Sequence, residues 1–404
     1  MTAQSSTAKF RDPRLDFFRG LGMFIIYIAH LPGNWWTLWI PARFGFSDAT
    51  EIFVFCSGMA SALAFGKIFD IHGVPMGIAR VLHRIWQVYW AHICQFLVIA
   101  TGLVAVQESG YLADCCNLTQ DYVASLNLWP FFENTPQNLA GLLTLTYVPN
   151  YFDILPMYIV ILALIPLIMT ASRISIWAAF ALSSGMWLAA NLELLNLPAE
   201  PWSERSWFFN PFAWQLVFFT GFAFMRGWIP APPFSKKLIA VSVAILLLSL
   251  PFAYFRIHLN IPEAQAVRDF LKPLWIKSEF GFLRYVHFLA LAYLAWIAAG
   301  DKGSRLFGHG RVWAGFLQIV QKVGQQSLAV FMASLVVAQA AGVMRDMVWG
   351  RGEWTPQILS NLLGFAALIA VAYAVGWFKG QPWRKPLKPH SIATSTVSPE
   401  ANAS

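Results

Sequence analysis

Ten apolar stretches of about 17–25 residues recur along this chain, at roughly 17–31, 49–69, 85–106, 151–171, 174–192, 211–229, 238–255, 282–300, 326–344 and 356–378. A backbone that crosses hydrocarbon finds no water to bond, so it must satisfy its own N–H and C=O groups as a helix or a closed barrel. Runs of this length predict an all-α, polytopic membrane protein, a bundle of about ten transmembrane helices. Composition agrees: 12% of the 404 residues are charged, against about 25% in soluble domains, and 57% are hydrophobic. The net charge of +8 does not point to nucleic acid, because the basic residues fall in short clusters between apolar spans rather than along one face.

An even number of spans puts both termini on one side, and the positive charges choose which. With a cytoplasmic N-terminus, the inner segments hold roughly 19 of the 28 Lys and Arg, and the outer ones about nine. The stretch from Gln107 to Asn150 carries no Lys or Arg, only Glu108, Asp114, Asp121 and Glu133. Both termini are therefore expected in the cytoplasm, with residues 1–14 as an inner segment, 15–378 as the transmembrane domain and 379–404 as a polar, disordered tail. The polar start runs into a span with no small-residue cleavage site, so no removed signal peptide is expected. Cys56 and Cys94 fall inside spans and Cys115 and Cys116 adjoin in a loop, which gives neither a disulfide framework nor metal spacing.

The first span, RDPRLDFFRGLGMFIIYIAH, places Arg19 and His30 about 16 Å apart on one helical face. Polar groups at membrane depth usually face a pathway rather than lipid, so this stripe is either a site or a packed histidine. Trp35, Trp36 and Trp39 in the following loop read as an interface belt, or as flat faces for a sugar ring. Asp48 and Glu51 open the second helix one turn apart; capping accounts for Asp48 and leaves Glu51 over. Arg80 and Arg84 share a helix face on the inner side, as anchors or as a phosphate clamp. Asp153 fits a cap or an outward polar site, and Asn210 and Gln215 offer neutral hydrogen-bonding groups at the outer face. The outer stretch with Arg256, Arg268, Lys272, Lys277 and Arg284 breaks the charge pattern, and pairing with Glu263, Asp269 and Glu279 is the favoured reason over a site for a carboxylate. Val312 to Gln325 reads as a short amphipathic inner segment. No internal repeat is evident.

The Arg19–His30 spacing, FVFCSG behind Glu51, and RVLHRIWQVY at Arg80–Tyr89 resemble the acyltransferase-3 superfamily of membrane acyltransferases. More closely, RLDFFRG, HLPGNWW, FGFSDATEIFVFCSG, YFDILPMYIV, FNPFAWQ, LRYVHFLALAY and GQQSLAVF resemble, in order and spacing from Arg11 to Phe378, the OpgC family, associated with succinylation of osmoregulated periplasmic glucans. The resemblance implies a bacterial inner-membrane enzyme that carries an acyl group from a cytoplasmic acyl-CoA, succinyl-CoA first among them, to a hydroxyl of a periplasmic glucan or other glycan. No metal is implied.

A sugar hydroxyl attacks a thioester only if a base takes its proton, and a neutral imidazole near the outer face suits that task. His30 is thus the expected general base, by direct attack or through an acyl-histidine. Glu51 is expected to orient it, with Asp48 or Asp153 in reserve. On the donor side Arg80 and Arg84 are expected at the CoA phosphates, with Arg19 and Ser327 along the pantetheine arm. Lys277, Arg284 and His287 are candidates for the succinyl carboxylate. Trp36, Asp153, Asn210 and Gln215 complete the expected acceptor side. Acetyl transfer, or transport of a polar anion without chemistry, are the competing readings.

Overall fold

The apolar runs form helices throughout the computed structural model, which describes residues 12–110 and 120–384. Cys115, Cys116 and most of the C-terminal tail lie outside the described residues. Among the described residues no strand forms; Pro198 and Ser206 make one isolated bridge. The principal helices are α1 (Pro13–His30), α2 (Ala49–Ser61), α3 (Lys67–Glu108), α4 (Ile154–Ile174), α5 (Ile176–Asn191), α6 (Pro211–Arg226), α7 (Lys236–Ala253), α8 (Phe282–Ala299), α9 (Arg311–Gln325), α10 (Ser327–Val348) and α11 (Trp354–Lys379).

Among the described residues, six helical stretches are long and apolar enough to cross a membrane: Ala49–Glu108, Ile154–Ile174, Lys236–Ala253, Phe282–Ala299, Ser327–Val348 and Trp354–Arg384. Leu247 and Leu248 on α7 and Leu362 and Leu363 on α11 stand exposed, as side chains do when hydrocarbon covers them. This is a membrane protein. The second and third sequence spans, expected as separate helices with a loop between, are two helices parted by a sharp break; a π-helical turn at Ala62–Gly66 first carries α2 on into the start of α3. The break falls inside α3 at Gly73, whose φ of 79° needs no side chain, two residues before Pro75. Gly77 there lies against the Phe69 ring, so the chain doubles back.

Two close crossings hold the centre together. On α2 a methyl at Gly58 would run into the Phe218 carbonyl of α6, and one at Gly221 of α6 into the Phe55 carbonyl. On α1 and α9 the same holds between Gly20 and the Val320 carbonyl, and between Gly324 and the Asp16 carbonyl. Small residues let membrane helices approach until backbones touch, which supplies the dispersion contacts that lipid does not. The amphipathic stretch expected before α10 is α9, which buries Leu317, Val320 and Val323. Short helices at Tyr122–Ser125, Trp129–Glu133 and Thr135–Thr144, and again at Phe255–His258, Pro262–Phe270 and Lys272–Trp275, lie between the long ones at the end of the bundle that carries His30.

Candidate active site

His30 is the last residue of α1, and its Nδ1 lies 2.7 Å from the Ile26 carbonyl. A carbonyl oxygen only accepts, so Nδ1 carries the proton and the neutral ring keeps its lone pair on Nε2. The backbone, one turn earlier, therefore does what Glu51 was expected to do. No carboxylate bonds the ring among the described residues.

Glu51 is engaged elsewhere. With Asp48 it closes a capping box: the Asp48 side chain accepts from Thr50 N at 2.7 Å, and the Glu51 carboxylate accepts from Asp48 N at 2.7 Å. Its other oxygen takes the Nε–H of Arg284. Asp48 accepts from Lys277 Nζ at 2.6 Å and from Arg284 Nη2 at 3.2 Å. Burial opposes the Asp48 charge, but Lys277 and then Arg284 hold its carboxyl below the usual range. Lys277 and Arg284 thus pair with α2 and not with the acids of their own loop. Glu279 instead accepts from Asn210 Nδ2 at 2.8 Å, and burial raises its carboxyl. Asp269 accepts from Gln265 at 2.9 Å.

A cavity of about 750 Å³ opens beside His30. Asp48, Asp153 and Lys277 line it with His30, as do Tyr151, Arg205, Ser206, Phe208, Ser278 and Glu279. Lys277 and Asp48 lie within electrostatic reach of the imidazole. Phe53 and Phe331, stacked at 5.3 Å and 14°, also line the cavity and are themselves buried. Ser327 sits one turn before Phe331 on α10, outside the lining, and Arg19 Nη2 bonds its hydroxyl. Phe331 of the ring pair therefore stands one turn of α10 from the Arg19–Ser327 contact, which the sequence leads one to expect on the donor side.

Apart from Asp153, the other expected residues lie outside this chamber. Arg80 is exposed on α3, and Arg84 bonds Gln87 at 3.1 Å. Trp36 packs edge-on against Phe365. Asn210 caps α6 and also bonds the Leu195 carbonyl at 2.7 Å, while Gln215 is buried against Ser183. His287 faces away: Nδ1 meets the Ser47 hydroxyl at 2.7 Å and the ring lies against Gly45. Arg284, buried and spent on two carboxylates, has no reach into the cavity. Asp153 does line it, accepting one long bond from Phe208 N at 3.4 Å.

Arg205 and Tyr151 are among the lining residues that the sequence does not single out as site candidates. Arg205 bonds the Glu200 carboxylate at 2.9 Å and the Val148 carbonyl at 3.0 Å; burial opposes the Glu200 charge, but Arg205 and Ser203 hold its carboxyl below the ordinary range. Tyr151 presents its ring edge-on to His30 at 5.3 Å. Arg205 stands in a loop outside the quoted motifs, whereas Tyr151 opens YFDILPMYIV, in which Asp153 alone is singled out.

No curated protein and no solved structure matches this chain. A family model described as OpgC protein matches residues 11–380, which takes in all of α1 to α11. The chain belongs to the OpgC protein family.

Proposed function

We propose that this protein moves a succinyl group from cytoplasmic succinyl-CoA to hydroxyls of periplasmic glucans, with His30 as general base. Family membership implies a glucan acyltransferase. The observation that carries the residue assignment is the bond from His30 Nδ1 to the Ile26 carbonyl, which leaves Nε2 as the acceptor beside an open cavity. A sugar hydroxyl there gives its proton to Nε2 as its oxygen bonds the thioester carbon. The tetrahedral adduct then collapses, the C–S bond breaks, and the imidazolium returns the proton to the departing thiolate.

The donor's arm reaches this point from the other side, past Arg19 and Ser327 and between Phe53 and Phe331. Arg80 and Arg84 are the proposed grip on the nucleotide phosphates, outside the chamber. Lys277 is the proposed partner of the succinyl carboxylate, since it alone of the three cationic candidates lines the cavity. The alternation of charge supports ten crossings of the bacterial inner membrane with both termini cytoplasmic, so that the His30 chamber faces the periplasm.

The test is transfer itself. Reconstituted protein given succinyl-labelled CoA and a soluble glucose oligosaccharide should yield a labelled ester, and His30→Ala should abolish it at unchanged expression. Ester formation by that variant overturns the base assignment. Accumulation of intact anion in vesicles, without acyl-CoA, overturns the reaction in favour of transport.

A further inference from the structure

Tyr151 holds a backbone conformation that its side chain disfavours. Its φ is 68°, in the left-handed region, where glycine and asparagine sit at little cost and a bulky aromatic residue is a true outlier. Asparagine stands one position earlier, at Asn150, so the turn had a permissive residue at hand and does not use it at the strained position. Strain of this kind persists only where the surroundings enforce it, and it gathers at functional sites. The surroundings are visible. Asn150 N bonds the Leu126 carbonyl at 3.2 Å, and Phe152 N bonds the Pro149 carbonyl at 3.1 Å. Phe152 is buried against Phe96 at 5.3 Å. With Phe152 anchored inward, the left-handed residue before it turns the other way.

That turn delivers the Tyr151 ring to the cavity. It meets His30 edge-on at 5.3 Å and 67°, and half of the side chain remains exposed. The ring thus limits how the imidazole can lean, and its exposed part lines the same cavity. Aromatic faces offer apolar area at low entropic cost, and the hydroxyl end can bond a wet partner.

We propose that Tyr151 is a positioning residue for the acceptor: its ring holds the His30 imidazole in place and gives the glucan's sugar ring a face to stack on. This rests on the acyl-transfer reading above. The strain at Tyr151 is the structural cost of keeping an aromatic ring where glycine would fit the backbone better.

Two variants test it in the reconstituted full chain, with succinyl-labelled CoA and a soluble glucose oligosaccharide as probes. Tyr151→Gly relieves the backbone and removes the ring; Tyr151→Phe keeps the ring. The glycine variant should unfold at the same or a higher temperature than the parent, yet lose roughly tenfold or more in kcat/KM for the oligosaccharide. Its KM for succinyl-CoA should stay unchanged, and the phenylalanine variant should keep most of the activity. A purely packing role predicts the reverse pattern, a lower unfolding temperature with both substrates affected alike. Parental acceptor kinetics in the glycine variant, or a phenylalanine variant as impaired as the glycine one, also overturns the proposal while leaving acyl transfer standing. A parent protein that forms no ester overturns both.

Discussion

Arg284 of α8 donates its Nε–H to the carboxylate of Glu51 in the first turn of α2, joining positions 233 residues apart in a buried ion pair. Taking two charges out of water is repaid only while each keeps its partner, so removing one leaves the other stranded. Glu51→Ala and Arg284→Ala should each destabilise the protein by about 3–5 kcal/mol. Exchanging both for apolar residues of similar volume should cost much less than the sum. Thermal unfolding of the two single variants and the double variant in detergent measures this coupling. Because Glu51 does not touch His30, any residual activity of Glu51→Ala should keep the parental pH dependence.

The Asp48 carboxyl is held below its usual range, so its share of stability has a definite window. A carboxylate with a depressed folded value contributes fully above the unfolded value of about 3.9, and the contribution fades only as pH falls through the folded one. The gap in unfolding temperature between the parent and Asp48→Asn should therefore stay constant from about pH 5 to pH 8 and shrink in acid. A gap that closed near neutrality would show that Lys277 and Arg284 do not hold this charge.

Lys277 is the cavity's test of acyl choice. Lys277→Met keeps the stem and removes the ammonium that a succinyl carboxylate would meet. Loss of one charge-assisted hydrogen bond is worth about 1.5–3 kcal/mol, so succinyl transfer should fall roughly 10–100-fold. Acetyl transfer by the same variant should fall far less. Competition between the two acyl-CoAs measures the ratio directly, and a parallel loss of both would remove Lys277 from donor recognition.

Gly58 and Gly221 face backbone carbonyls across the α2–α6 crossing, and carbonyls cannot rotate aside as side chains do. Gly58→Ala should force the helices apart and cost about 1–3 kcal/mol, read as a lower unfolding temperature. Gly185→Ala on α5, where nothing lies within 4 Å of the added methyl, is the control that should leave stability unchanged.

Local signals in the chain were legible, and long-range partnerships were not. Apolar length announced the helices, and the amphipathic stretch before α10 announced α9, because both depend on neighbours in sequence. The Asp48-x-x-Glu51 spacing is itself a capping-box signature, and it could have told that the Glu51 carboxylate was committed to the backbone of Asp48. That Arg284 would take its other oxygen was invisible, since nothing near Glu51 refers to residue 284. The loop cations were paired on paper with Glu263, Asp269 and Glu279 for the same reason: proximity in sequence stood in for proximity in space. His30 stands out in the sequence by its helical face. Arg205 lies in a loop, which carries no periodicity; Tyr151 opens the 151–171 span and YFDILPMYIV yet is not singled out, because a left-handed φ at tyrosine leaves no mark in composition.

The Phe53–Phe331 stack bears on the economy of the whole cell. A membrane that stores energy as an ion gradient cannot tolerate a continuous file of water from face to face, because protons would run down it. The two stacked, buried rings line the His30 cavity one turn of α10 beyond Ser327, and they offer a file of water there no polar group to bond. On the transfer proposed above, a donor arm passing between them would have to part the two rings and would itself fill the gap, so the way would stand open only while it is occupied.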